Sequence, residues 1–339
     1  MKVVERPSLK GMNSFGVEAS AGLLIEIESE EDVLSLPAFN PTRDLVLGGG
    51  SNVVFASDVP GTVFHNHILG RTIIEDSAEH AVLEIGAGEN WHQLVRWSLE
   101  RGLSGLENLS LIPGQAGAAP IQNIGAYGVE LSSVLRGVTA WDWQRSAWVC
   151  FESADCQLGY RDSLFKSAAA DRYLVTSLQL RLNRVFRPQL DYAGLCDTLS
   201  GMGVEHPSAR DVSDAVIRLR RRKLPDPALT GNAGSFFKNP ELDPEQAHAL
   251  AAAHPGLPTW PTDDGRSKLS AAWMIENCGL KGLREGDAAV SEQHALVLVN
   301  LGSASGKNIV TLARRIQSIV ADRFGLMLEP EPRLIEFDA

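Results

Sequence analysis

The sequence predicts an α+β fold, with a strand-rich first half and a more helical second half. Up to about residue 185 the chain consists of short apolar runs separated by glycine turns, which is the pattern of β-strands. After about residue 205 the apolar residues recur at helical spacing instead. A length of 339 residues corresponds to about two domains. We therefore expect a first domain over residues 1–200 and a second over residues 201–339.

The first half contains most of the predicted strands, and two helices interrupt them. Ser29 with the acidic residues that follow it is typical of a capping box and predicts a short helix. Asn90 caps a second helix over residues 91–101, which has a mostly buried face. The strands are predicted at residues 23–28, 44–46, 51–55, 62–68, 72–75, 82–85, 138–143, 147–151 and 173–182.

The second half is predicted to combine helices with a few strands. Pro244 is typical of a helix start, and Gly279 and Gly325 are typical of positions just past helix ends. Apolar spacing places helices over residues 212–219, 243–253, 271–278 and 309–324, a buried strand over 294–300 and a final strand over 326–337.

The composition excludes several classes of protein. Hydrophobic residues make up 44% and charged residues 22% of the chain, which is typical of a globular protein and not of a disordered or fibrous one. A net charge of −11 repels nucleic-acid backbones. The longest apolar runs are far shorter than a bilayer requires, and the first residues contain no apolar leader. We expect a cytoplasmic protein with no nucleic-acid or membrane partner.

The cysteines and histidines show no motif typical of a metal site. The cysteines have no C-x-x-C spacing, so they predict neither a zinc site nor a disulfide framework. His65 and His67 share one strand face, but no carboxylate-rich motif lies near them in the sequence. We therefore assign no metal.

Several segments resemble phosphate-binding motifs only in part. Residues 302–308 lie between a strand and a helix like a P-loop, but they are one residue short and carry Asn308 at the magnesium-binding position. Gly86-Ala87-Gly88 begins like a dinucleotide fingerprint, but Trp91 replaces its last glycine. The basic run over residues 218–223 is either a solvated helix end or an anion-binding segment.

Two glycine-rich loops carry the strongest functional signal. Gly48-Gly49-Gly50 with the next two polar residues lies between two strands, where consecutive backbone N–H groups can face an anion. The second loop spans residues 111–128 and consists mostly of small residues and amides, with isoleucines that favour burial. A loop packed against a large flat ligand fits this composition better than a mobile surface loop does.

These loops and three further motifs resemble the UDP-N-acetylenolpyruvoylglucosamine reductase family, which makes UDP-N-acetylmuramate for peptidoglycan. The motifs follow the family's order: G-G-G-S-N at residues 48–52, I-P-G-x-x-G-A-A-P-I-Q-N-I-G-A-Y-G at 112–128, G-Y-R-D-S at 159–163, G-N-A-G-S-F-F-K-N-P at 231–240 and L-E-P-E at 328–331. The resemblance runs from residue 13 to residue 333. The segments around Tyr192 and over 210–227 resemble the longer form of the family, in which a tyrosine loop closes over the substrate.

The resemblance implies a flavoprotein with a particular arrangement of domains. An FAD-binding domain of the vanillyl-alcohol-oxidase type, built from two α+β subdomains, would be followed by an α+β substrate-binding domain whose last strand returns toward the flavin. The residues implied to bind FAD are Gly48, Gly49, Gly50, Ser51, Asn52, Pro113, Gly114, Gly117, Ala118, Ala119, Gln122, Asn123, Gly125, Tyr127 and Gly128.

The family's reaction implies the roles of the catalytic residues. NADPH passes hydride to FAD, and reduced flavin N5 passes hydride to C3 of the enolpyruvyl ether while a proton goes to C2. Arg161 would stabilise the enolate through the substrate carboxylate, since its planar fork binds carboxylates bidentately. Ser235 would donate the proton to C2, eased by a nearby cation such as Lys238. Glu331 would have to be protonated, or orient the donor, to assist beside an enolate.

Other residues are carried over from the resemblance as contacts to the UDP-sugar substrate or to NADPH, namely Tyr160, Tyr192, Lys223, Asn239 and His294. Where this chain has Gln115-Ala116, many members of the family carry a small residue and valine, which affects the packing around the flavin. Where it has His294, some carry glutamine. We expect a monomeric reductase. The alternatives are an FAD-dependent oxidase on the same flavin domain and a sugar-nucleotide-binding module without catalytic activity.

Overall fold

The chain divides into two compact units that alternate along the sequence. The structure is a computed structural model, and it describes residues 1–262 and 264–337. The first unit comprises Met1–Pro7, Ala21–Gly50 and Val59–Arg222, and the second comprises Ser8–Ser20, Ser51–Asp58 and the chain from Lys223 onward. This division differs from the expected boundary after residue 200, because segments from the beginning of the chain pair with its end.

The secondary structure confirms the α+β class. The strands are, in chain order, β1 Lys2–Glu5, β2 Ala21–Ile27, β3 Leu45–Leu47, β4 Val53–Phe55, β5 Val59–Asn66, β6 Arg71–Asp76, β7 His80–Gly86, β8 Gly125–Ala126, β9 Val129–Glu130, β10 Leu135–Asp142, β11 Ala147–Glu152, β12 Tyr173–Asn183, β13 Gly231–Ser235, β14 Glu241–Leu242, β15 Thr259–Pro261, β16 Ser267–Leu269, β17 Arg284–Glu285, β18 Ala288–Val290, β19 Val297–Asn300 and β20 Arg333–Ile335. The α-helices are α1 Glu30–Val33, α2 Trp91–Glu100, α3 Leu195–Gly201, α4 Ala209–Lys223, α5 Pro244–Ala253, α6 Ala271–Asn277 and α7 Gly306–Phe324.

The first unit contains two larger sheets. One has the order β1-β2-β5-β3, in which β2 and β3 run parallel to β5. The other has the antiparallel order β11-β10-β12-β7-β6 and includes the predicted hairpin of β10 and β11. The predicted cap of α2 is confirmed, because Asn90 Oδ1 accepts a 3.0 Å hydrogen bond from the Gln93 N–H. Trp91, Leu94 and Val95 of α2 are buried in the same core as the β7 and β12 side chains.

Helices α3 and α4 form a separate small core of the first unit. Leu195, Leu199, Val212, Val216 and Leu219 are buried together there with one tyrosine of the long glycine-rich loop. Because α4 up to Arg222 belongs to the first unit, this unit continues past residue 200. The helical spacing predicted from residue 212 is confirmed by α4.

In the second unit, a four-stranded sheet has the order β13-β19-β18-β17 and a three-stranded sheet the order β14-β16-β15. The last strand, β20, pairs in parallel with β4. The predicted final strand was too long, because the prolines at 330 and 332 cannot donate to a strand ladder; only Arg333–Ile335 forms a strand, and Pro330 makes an isolated bridge with Phe237. Among the described residues, no helix combines the length and apolar character needed to cross a membrane.

The segment that resembled a P-loop has a structural explanation. Ser305 and Asn308 form a reciprocal capping box at the start of α7. A Cβ atom on Gly306 would lie 1.7 Å from the carbonyl oxygen of Phe55, so only glycine fits there. The residues that suggested phosphate binding therefore hold the helix start against β4.

Candidate active site

The two predicted cofactor loops of the first unit pack against each other. A Cβ atom on Gly49 would lie 2.9 Å from the Cα of Gly114, and one on Gly117 would lie 2.4 Å from the Cβ of Ala87. A side chain at Gly49 would push the two loops apart, and one at Gly117 would push the second loop away from the end of β7. The pairing leaves backbone and small side chains at the surface, where Gly49, Pro113 and Ala118 are exposed. A backbone-lined surface of this kind suits a pyrophosphate.

Gln115 provides a second observation that fits a bound cofactor. Its side-chain Oε1 is buried and has no hydrogen-bond partner among the described residues. The same oxygen lies 3.1 Å from the position that a Cβ atom on Gly48 would take. Because an unsatisfied buried acceptor costs about 1–3 kcal/mol, the oxygen suits a ligand that brings a donor. FAD carries hydroxyl and imide donors, so the residues present fit this group.

The side chain of Asn123 is held by hydrogen bonds to residues outside its own loop. Its Nδ2 donates to Glu130 Oε2 at 2.7 Å and to the Gly159 carbonyl at 3.0 Å, and its Oδ1 accepts from the Ser132 N–H at 2.9 Å. The side chain is almost fully buried. The contact to FAD predicted for Asn123 is therefore left to its backbone, which adopts a left-handed conformation with φ of 45°.

Arg161 and Tyr160 lie at the tip of a tight turn. Gly159 and Asp162 close the turn with N–H to carbonyl bonds of 3.1 and 3.3 Å, and Arg161 has a φ of 53°. A positive φ at a non-glycine residue is strained and clusters at functional sites. The Arg161 Nη2 donates to the Gly125 carbonyl at 2.7 Å, and the guanidinium lies 5.4 Å from the centre of the Tyr160 ring.

The basic run of α4 is divided between solvent and the protein interior. Arg218, Arg221 and Arg222 are exposed, whereas Arg220 is turned inward. Burial lowers the pKa of Arg220, the two nearby tyrosine hydroxyls oppose that shift and the charge of Arg161 adds to it. The structure thus places Arg220 close to Arg161. This proximity is not predictable from the sequence, in which residues 218–223 form one continuous basic run.

The two tyrosines near Arg220 contact each other. The rings of Tyr127 and Tyr192 are 4.7 Å apart, edge to face. Burial raises the pKa of Tyr127 to about 12, so its hydroxyl is neutral at physiological pH. Tyr192 is 40% exposed. Tyr127, predicted as an FAD contact, is therefore joined to the tyrosine predicted as a substrate contact.

In the second unit, Ser235 ends β13 after a glycine turn. Gly234 has a φ of 71°, and its N–H donates to the Asn232 Oδ1 at 2.9 Å. Asn232 is buried and donates in turn to the Thr230 carbonyl at 2.8 Å and to the Pro225 carbonyl at 3.1 Å. The motif G-N-A-G-S thus builds a rigid turn that presents a half-buried serine.

The structure brings Glu331 next to the Ser235 segment. The Glu331 N–H donates to the Phe236 carbonyl at 2.8 Å, and the Lys238 N–H donates to the Glu329 carbonyl at 2.9 Å. Asn52 Nδ2 donates to the Glu331 carbonyl at 3.3 Å. Asn52, the last residue of the first glycine motif, therefore meets the two segments that carry the predicted proton donor and the predicted acid.

Lys238 lies in an ion pair with Glu329, whose Oε1 is 2.5 Å from Nζ. The charge that the sequence analysis assigned to easing proton loss from Ser235 is thus neutralised by a neighbouring acid. Asn239 also has a structural bond, since its Oδ1 accepts from the Ala271 N–H at 3.0 Å at the start of α6.

Lys223 and His294 lie close enough for their charges to interact. Burial lowers the pKa of His294, and the positive charge of Lys223 lowers it further. His294 is therefore a neutral imidazole near physiological pH, and its Nδ1 accepts from the Leu296 N–H at 3.2 Å. A lysine beside a neutral histidine is suited to an anionic group.

Comparisons with known proteins decide the family. The family model for the UDP-N-acetylenolpyruvoylglucosamine reductase C-terminal domain matches residues 226–335, and an FAD binding domain model matches residues 21–146. The UDP-N-acetylenolpyruvoylglucosamine reductase of Xanthomonas euvesicatoria pv. vesicatoria is 49% identical over 98% of this chain and 95% of that protein.

The chain belongs to the UDP-N-acetylenolpyruvoylglucosamine reductase family. The reductase of Xanthomonas campestris pv. campestris is 50% identical over 98% of this chain and 96% of that protein. The crystal structure of the reductase from Thermus caldophilus has a TM-score of 0.70 and 28% identity, over 99% of this chain and all of that one. The chain is thus an FAD-dependent oxidoreductase with the flavin fold that the sequence analysis expected.

Proposed function

We propose that this member of the reductase family reduces the enolpyruvyl group of UDP-N-acetyl-3-O-(1-carboxyvinyl)-glucosamine to give UDP-N-acetylmuramate. NADPH is the electron donor and FAD the carrier. The observation that carries the proposal is the 2.8 Å hydrogen bond from the Glu331 N–H to the Phe236 carbonyl, which brings the segments of Glu331 and Ser235 together. The chain is also 49% identical to a named reductase over almost its full length.

FAD, when bound, supplies hydride chemistry, and its site on this chain is the paired glycine loops. Gly48, Gly49 and Gly114 offer backbone to the pyrophosphate, and the side chain of Gln115 offers its buried Oε1 to a donor. The chain's own residues then have to bind the substrate carboxylate, supply a proton and exclude water.

Arg161 binds the carboxylate of the enolpyruvyl group. Hydride addition at C3 places negative charge at C2, and the carboxylate beside C2 takes up that charge as an enolate. A guanidinium held in place by the Gly125 carbonyl stabilises this charge without reorganising during the reaction. The nearby Arg220 adds positive potential, while the Tyr127 and Tyr192 rings limit access of water.

Ser235 supplies the proton to C2 from its Oγ, and Glu331 orients that hydroxyl. The glycine turn before Ser235 admits a substrate close to the backbone at Gly234, because nothing lies within 4 Å of the position of its absent Cβ. Lys223 binds an anionic part of the substrate, and neutral His294 accepts or donates a hydrogen bond beside it.

Absorbance spectra of the purified protein test the proposal directly. We expect a yellow protein that NADPH bleaches and that the enolpyruvyl substrate turns yellow again, with one UDP-N-acetylmuramate formed per NADPH consumed. A protein that is colourless after addition of FAD would contradict the proposal, as would a bleached protein that only oxygen reoxidises.

A further inference from the structure

One group of side chains in the first unit has the donor set of a metal site. Glu26 on β2 and His65 on β5 are paired across parallel strands, and His67 is two residues beyond His65. Side chains two residues apart on a strand point to the same face of the sheet. One ligand atom from each of the three residues lies within 4.8 Å of those of the other two.

From the sequence no metal is expected at these histidines, because no carboxylate-rich motif lies near them along the chain. The structure supplies one from 39 positions earlier in the chain, through the register that pairs Glu26 with His65. A parallel register between strands that are not adjacent in sequence cannot be derived from the local pattern of either strand. The reason for excluding a metal therefore no longer holds.

The histidine rings are already oriented toward each other. His67 Nε2 and His65 Nδ1 are 3.0 Å apart, and the ring centres are 4.2 Å apart. His65 also pairs with Leu47 across β5 and β3, directly before the first glycine loop.

The group is partly shielded from solvent, since all three side chains are half-buried. Glu26 has 22% of its side chain exposed and is 3.0 Å from the Lys2 Nζ. Lys2 is 64% exposed, so its side chain is free to rotate into solvent when a cation of higher charge takes its place.

We propose that Glu26, His65 and His67 bind one divalent transition-metal ion, such as Zn²⁺ or Cu²⁺, with water completing the coordination. Imidazole nitrogen and carboxylate oxygen are ligands that these ions accept, at about 2.0–2.2 Å for Zn²⁺. The 3.0 Å between the two nitrogens needs little change to reach the edge of a tetrahedron, whereas the carboxylate has to move inward.

Binding requires one histidine to change tautomer. Whichever of the two ring nitrogens at 3.0 Å carries the hydrogen of their shared bond has to pass it, through solvent, to the other nitrogen of its own ring before both nitrogens coordinate the same ion, so the proton count of the group stays the same. No bond to carbon or oxygen breaks and no electron is transferred. The ion would tie β2 to β5 at His65, which pairs with Leu47 directly before the first glycine loop.

Titration of the tag-free flavoprotein with ZnCl₂ in a calorimeter tests the site. We expect one Zn²⁺ per chain and a loss of affinity of at least about tenfold in His67→Gln and in Glu26→Gln. His206→Gln removes an exposed histidine elsewhere and should bind as the unchanged chain does.

Electron paramagnetic resonance with one equivalent of CuCl₂ identifies the ligands. Oxidised flavin is diamagnetic, so the Cu²⁺ signal stands alone. The proposal requires coupling to two imidazole nitrogens in the unchanged chain and to one in His67→Gln. Equal Zn²⁺ affinity in the unchanged chain and His67→Gln, or a Cu²⁺ spectrum that His67→Gln leaves unchanged, would overturn it. Flavin absorbance and far-ultraviolet circular dichroism verify that each variant is folded.

Discussion

The backbone N–H of Glu331 donates a 2.8 Å hydrogen bond to the carbonyl oxygen of Phe236. Because Phe236 directly follows Ser235, this bond sets the spacing between the proposed proton donor and the proposed acid. Phe236 is itself fully buried, and its ring meets Phe15 edge to face at 6.3 Å. The proton-donating part of the site is thus built on a packed core and not on a free loop.

Ser235→Ala should separate the two half-reactions. Without the hydroxyl, C2 has no proton donor, so reoxidation of reduced flavin by the enolpyruvyl substrate should slow by about 100-fold or more. Reduction of the flavin by NADPH should keep its rate. Stopped-flow absorbance measures both steps. Ser318→Ala, on the exposed face of α7, is the matched control. If both half-reactions slowed equally in Ser235→Ala, Ser235 would not be the donor.

Arg161→Lys should lower turnover although it conserves the charge. A lysine ammonium cannot bind a carboxylate bidentately or keep the bond to the Gly125 carbonyl in the same geometry. We expect kcat to fall by about 100-fold, the scale for loss of one group that stabilises developing charge. Arg181→Lys changes an exposed arginine of β12 and should have no effect. A kcat within about twofold of the unchanged chain would contradict this role.

The ring contact between Tyr192 and Tyr127 should affect the KM for the enolpyruvyl substrate. Tyr192→Ala removes the edge-to-face pair at 4.7 Å, which is worth about 0.5–1.5 kcal/mol. The KM for the enolpyruvyl substrate should therefore rise, while the rate of flavin reduction by NADPH stays the same. Tyr192→Phe keeps the ring and tests the hydroxyl separately. A KM that rises as much in Tyr192→Phe as in Tyr192→Ala would assign the effect to the hydroxyl instead.

The free energy of unfolding should depend on pH through the ionisation of Asp142. Its carboxylate is fully buried and accepts bonds from Arg172, whose Nη2 is 2.7 Å away, and from the Gln144 N–H at 2.9 Å. The bond from Arg172 is the largest cause of a lowered Asp142 pKa. A group whose pKa is lowered by folding stabilises the protein above its unfolded pKa, and that contribution disappears as pH falls through the folded value.

Asp142→Asn should thus lower the free energy of unfolding by about 2 kcal/mol at neutral pH, and by much less below about pH 3. Urea unfolding followed by tryptophan fluorescence is a suitable measurement, because Trp141 and Trp143 flank this residue. Asp322→Asn, at an exposed position of α7, should cost little at either pH. A difference between the unchanged chain and Asp142→Asn that did not shrink in acid would disprove this assignment.

Gly306→Ala should lower the stability of the fold more than a glycine substitution at an open position does. Its Cβ would lie 1.7 Å from the Phe55 carbonyl oxygen, so α7 or β4 would have to move. Overpacking of this kind costs about 3 kcal/mol or more. Gly11→Ala is the control, because nothing lies within 4 Å of its Cβ. Thermal unfolding compares the two, and equal melting temperatures would show that α7 can shift without cost.

Features determined by neighbouring residues were predictable from the sequence. Asn90 before an apolar helix, Gly325 after one, and the turn between β10 and β11 follow local rules of capping and hairpin formation, and the structure has all three. The ligand-binding role inferred for the glycine loops from their many small residues stays a prediction.

Features determined by tertiary pairing were not predictable. Arg220 lies in a run of basic residues, and only the packing of α4 decides which of them turns inward. From the sequence, the charge of Lys238 is expected to ease proton loss from Ser235. In the structure Glu329, which is distant in sequence, forms an ion pair with this lysine. The two compact units alternate along the chain for the same reason, since β4 and β20 pair across most of the sequence.

The pairing of β4 with β20 also determines when the protein can finish folding during synthesis. Asn52 and Glu331 are separated by 279 residues, and at about 5–20 residues per second the ribosome needs roughly 14–56 seconds to make the chain between them. Throughout that interval β4 exists without its partner strand and exposes apolar side chains. A nascent chain of this protein should therefore need chaperone protection near its beginning until translation is almost complete.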